Sequence, residues 1–72
     1  MSTPREKFFL CTFVSRSRRL TRQIRAWDER QAALLFQEEL EDEGVKARGT
    51  VRVTDLVGRL DERYEYQPEV RA

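Results

Sequence analysis

At Trp27 the spacing of the apolar residues changes, and that change limits the folds open to this chain. Before it, "KFFLCTFV" (Lys7 to Val14) is a short run rich in aromatic and β-branched residues, and "LTRQIRAW" alternates, with Leu20, Ile24 and Ala26 on one side and Thr21, Gln23 and Arg25 on the other. After it, "WDERQAALLFQEELEDEG" repeats its apolar residues every 3.6 positions. Successive strand side chains point to opposite faces, whereas helix side chains three and four apart share one, so the first two segments are strands and the third is a helix. "VKARGTVRVTDLVG" then returns to alternation, setting Val51 and Val53 against Arg52 and Thr54. One helix among strands in seventy-two residues predicts an α+β fold. The natural packing is a small, largely antiparallel β-sheet with one α-helix on one face, in the order β-β-α-β with a possible fourth edge strand.

The first strand is apolar on both faces, which predicts a central position. The second pairs with it as a hairpin, with Ser15 to Arg19 at or near the tip. Asp28 is placed to cap the helix, Gln31 to complete a capping box, and Trp27 to staple against Ala32 at the edge of the core. Gly44 supplies the stop. On the helix wheel Ala32, Ala33, Phe36 and Leu40 form the core stripe, Leu34 points roughly opposite, and Leu35 lies on the flank. In the last segment Tyr64 and Tyr66 alternate with charged residues, and Pro68 confines that strand to an edge or ends it. The predicted domain covers residues 7–66, between a flexible arm at 1–6 and a flexible tail at 67–72.

A chain this short buries only about 60% of its unfolded surface, so its core is thin and leaves no room for an enclosed active-site cavity. Cys11 is the single cysteine and histidine is absent, which excludes a disulfide or zinc framework. No glycine-rich phosphate loop, nucleophile motif or metal-ligand spacing occurs, and Cys11 on an apolar strand reads as a small core residue. The sequence thus predicts a protein without catalytic residues, cofactor or metal. It holds no apolar run near the roughly 18 residues of a membrane span and no signal-peptide cleavage pattern, so a cytoplasmic location without membrane contact is expected.

The formal net charge of +1 hides a segregation. "SRSRRLTRQIR", Ser15 to Arg25, holds five arginines and no acid, while Gln31 to Val45 holds five acids and no base. Opposite potentials on one small body suit oriented docking. The acids crowd the last turn of the helix, against the sense of its dipole, which suggests a surface kept for something other than stability.

These features select the candidate binding residues. Arg16, Arg18 and Arg19 sit at the hairpin tip, and Arg22 and Arg25 are expected on the exposed sheet face. Three readings stay open for them: a solvated face, contact with nucleic-acid phosphates, or docking on a protein that offers acidic or backbone acceptors. Leu34, turned away from the core stripe, is a candidate contact. So are Tyr64 and Tyr66, because an aromatic edge segment suits strand addition with a partner.

Two resemblances bear on function. The span "LTRQIRAWDERQAALLFQEELEDEGVKARGTVRVTDL", Leu20 to Leu56, resembles the archaeal ribosomal protein LX family in its strand, its alanine- and acid-rich helix and its "VRVTDL" strand. That likeness implies a compact β-β-α-β module bound to ribosomal RNA. The whole chain, from "MSTPREKFFLCTFVSRSRRL" to "RLDERYEYQPEVRA", is similar to small transcription regulators of lytic Xanthomonas bacteriophages. That similarity implies binding to the host RNA polymerase through the N-terminal part of its β′ subunit. It further implies inhibition of initiation by σ factor displacement and read-through at terminators.

Overall fold

Phe9, Cys11 and Phe13 alternate along the first strand and all three are buried, so one face of that strand organises the core. The computed structural model describes residues 6–68; the expected arm and tail fall largely outside them. Four strands, β1 (Lys7–Val14), β2 (Arg19–Ala26), β3 (Gly49–Asp55) and β4 (Asp61–Tyr66), and one helix, α1 (Glu29–Asp42), make up the domain in the order β-β-α-β-β. The sheet runs β2-β1-β3-β4, every neighbouring pair antiparallel, which places β1 inside the sheet and β4 at an edge, as expected. The class is α+β, with α1 packed against one face of the sheet.

Local chemistry accounts for the helix ends. Gln31 donates its backbone N–H to Asp28 Oδ1 at 2.8 Å, and its side-chain Oε1 accepts from the backbone N–H of Trp27 at 2.8 Å. Two backbone donors with no helical partner are thereby satisfied. At the other end Gly44 takes φ +78°, Val45 N–H bonds to Leu40 O, and Gly44 N–H bonds to Glu41 O, both at 2.9 Å. This is the Schellman arrangement, and Val45 and Leu40 are both buried, as the apolar contact that accompanies it requires.

The helix buries Ala32, Ala33, Phe36 and Leu40 against Phe9, Cys11, Phe13, Ile24, Ala26, Val51, Val53 and Tyr66. Two alanines on the packing stripe let the helix lie close to the sheet. Gly49 allows a second close approach, because a Cβ there would collide with the Phe13 ring and the Val14 carbonyl. Its cross-strand partner is Tyr66, whose ring meets Phe13 edge-on at 5.4 Å and 79°.

Trp27 differs from expectation. It is 56% exposed rather than a core edge, and the cap is closed by the polar Gln31 bridge to its backbone. The second apolar face of β1 also differs: a single helix covers one face of the sheet, which leaves Phe8, Leu10 and Val14 exposed at 46%, 39% and 46% on the other. No helix among the described residues is long and apolar enough to cross a membrane.

Candidate docking surface

The hairpin that carries the arginines is in continuous register from Lys7 with Ala26 to Val14 with Arg19. Its turn, Ser15 to Arg18, is closed by Ser15 N–H to Arg18 O at 2.9 Å, with Ser15 Oγ reaching the same oxygen at 3.3 Å. Arg16 and Arg18 are exposed in this turn. Arg19 and Arg25 are exposed on β2 and share the face of Thr21 and Gln23, away from the helix.

Arg22 corrects the expectation that it joins Arg25 on the outer face. It falls between Leu20 and Ile24 in the alternation and therefore lies on the helix side. There its guanidinium bonds to Glu43 and approaches Glu39 Oε1 at 3.6 Å. The hydrogen bond to Glu43 is the first cause of a raised Arg22 pKa, with the charges of both carboxylates adding to it. The acid-rich last turn of α1 thus has a structural use that the linear charge pattern conceals. Glu38, Glu41 and Asp42 remain exposed on it.

The tyrosines are also corrected. Tyr66 is 2% exposed, and its hydroxyl donates to Val45 O at 2.7 Å. Tyr64 is half-buried and packs against the core. Pairing of Tyr64 with Val51 and of Tyr66 with Gly49 puts both rings on the helix side, and burial pushes both phenol pKa values up. Tyr66 is committed to the interior, leaving the backbone edge of β4 and part of Tyr64 for any partner. Leu34 stands 55% exposed on the helix, across the domain from the open sheet face.

The open face carries residues that sequence reading passed over. Along β1 it presents Phe8, Leu10, Thr12 and Val14, and along β2 Arg19, Thr21, Gln23 and Arg25; none of these is acidic. The Arg25 guanidinium lies 5.6 Å from the centre of the Phe8 ring, and its Nε is 3.6 Å from Glu6 Oε1. Thr12 and Thr21 face each other across the pair with hydroxyls 3.3 Å apart. On the other half of the face Arg52 grips Asp61 with two parallel bonds of 2.9 and 2.7 Å, which lowers the Asp61 pKa. The signal for this face was present in the apolar alternation of β1 on both sides, given one helix to cover only one of them.

Cys11 is wholly buried, and its Sγ points to Ala32 O at 3.8 Å. Burial, with Glu39 adding, pushes its pKa up to about 12. A thiol so held is a poor nucleophile. Among the described residues no three metal-ligating side chains converge. Comparison with protein-family models, with curated proteins and with solved structures finds no match.

Proposed function

We propose that the protein is a phage-encoded, non-catalytic regulator that docks on host bacterial RNA polymerase at the N-terminal region of the β′ subunit. In this reading it inhibits initiation by displacing the σ factor and promotes read-through at terminators. The reading starts from the whole-chain similarity described above. The observation that carries it furthest is the hairpin, where Arg16, Arg18, Arg19 and Arg25 are exposed while Arg22 serves the fold. Arginine forks of this kind favour planar, bidentate contact with carboxylates at protein interfaces.

Transcription in vitro tests the proposal. Added to Xanthomonas holoenzyme before promoter binding, the protein should reduce initiation and release σ. Added to preformed elongation complexes, it should raise read-through at an intrinsic terminator. Unchanged transcription in both assays would overturn the reading.

A further inference from the structure

We infer that the β1–β2 half of the open sheet face is the docking site itself, and that it takes an acidic protein surface bearing apolar side chains. On the docking proposal above, on which this rests, that surface belongs to the polymerase. Single exposed apolar residues are ordinary on small proteins, but Phe8, Leu10 and Val14 share one strand and one face, next to one another or across Thr12. They form an apolar centre. Arg19 and Arg25 border it on β2, and the turn with Arg16 and Arg18 continues it at one end. An apolar centre with a polar, arginine-bearing rim is the anatomy of a protein interface.

Charge selects the partner. The acids that the strands carry on the open face, Asp61 and Glu65, lie on β4 at the far edge of the sheet, and Asp61 is already held by Arg52. Strands are about 4.8 Å apart, so β4 lies roughly 14 Å from β2, beyond the Debye length of about 8 Å at physiological salt. Among the described residues, a partner on the β1–β2 half therefore meets a largely uncompensated positive field, relieved by Glu6 beside Arg25. Single-stranded nucleic acid fits less well. Base stacking needs several free aromatic faces, and among the described residues the outer side of β1 and β2 carries one aromatic ring, Phe8, with the Arg25 guanidinium 5.6 Å from its centre.

The test uses the full chain and two outward substitutions, Leu10→Asp and Arg19→Glu, each checked for an unchanged circular dichroism spectrum. Affinity is measured for Xanthomonas RNA polymerase core enzyme and for a single-stranded RNA, and self-association by sedimentation. The inference expects at least about a tenfold loss of polymerase affinity in either variant, in keeping with truncation of an interface hot spot. Tight polymerase binding by both variants would remove this face while leaving the docking proposal intact. Failure of the native chain to bind polymerase would overturn both. Two further results would reassign the face: RNA binding lost in the variants with polymerase binding kept, or a native dimer that Leu10→Asp dissociates.

Discussion

The Tyr66 hydroxyl donates a 2.7 Å hydrogen bond to the carbonyl of Val45, tying the last residue of the edge strand to the residue that closes the helix. The same ring packs edge-on against Phe13 above the space left by Gly49. One side chain thus joins β4, the helix C-terminus and the central strand. Tyr66→Phe keeps the packing and removes the bond, at a cost of about 1 kcal/mol or somewhat more because the Val45 carbonyl is left buried. Tyr66→Ala should cost about 3–5 kcal/mol. Gly49→Ala should also destabilise, since the clash involves backbone as well as ring. Urea unfolding of the three variants checks this order.

Arg22 and Arg19 should separate stability from binding. Arg22→Gln removes the partner of Glu39 and Glu43 and returns the last helix turn to unrelieved acidity, so the midpoint of thermal unfolding should fall. The pair is partly solvent-exposed, so the difference from the native chain should shrink in high salt. Polymerase affinity should hardly change. Arg19→Gln should do the reverse, leaving the midpoint in place and weakening polymerase binding.

Much of the fold was legible because local signals agreed. The Asp28 and Gln31 cap, the Gly44 stop and the Ala32, Ala33, Phe36, Leu40 stripe each depend on residues within a few positions, and all formed as read. Arg22 was misplaced because its exposure was judged from residue type rather than from position in the alternation. Arg22 has the parity of Leu20 and Ile24, which already places it on the helix side. Tyr66 needed more, because its burial depends on pairing with Gly49, seventeen positions earlier in the chain. The open apolar face of β1 follows only once one helix is counted against two apolar faces.

Alkaline pH should loosen the domain through Cys11. Its pKa rises from an ordinary 9.0 to about 12 on folding, so below pH 9.0 the thiol is protonated in both states and its preference for the fold is fully present. Between 9.0 and about 12 the unfolded chain loses the proton first, and stability falls as pH rises. The raised Tyr66 phenol acts in the same direction. Cys11→Ala should therefore flatten part of the alkaline decline in urea midpoints. In the native chain the thiol should react with a disulfide reagent only as fast as the domain opens.

The charge reversal Arg18→Glu with Arg19→Glu bears on the hairpin as a whole. Both side chains are exposed, so the circular dichroism spectrum and unfolding midpoint should stay close to native. Polymerase binding should be abolished, as like charges then face the partner's acids. Unchanged affinity in this variant would take the hairpin out of the interface.

Gel-filtration co-migration of the purified protein with Xanthomonas RNA polymerase core enzyme, at near-physiological and at high salt, tests the central claim most directly. Docking through an apolar centre rimmed by arginines predicts co-migration at both, because the apolar part of the interface survives screening. No co-migration at either salt would contradict it. Binding to RNA instead, falling log-linearly with salt, would turn the same arginines toward phosphates.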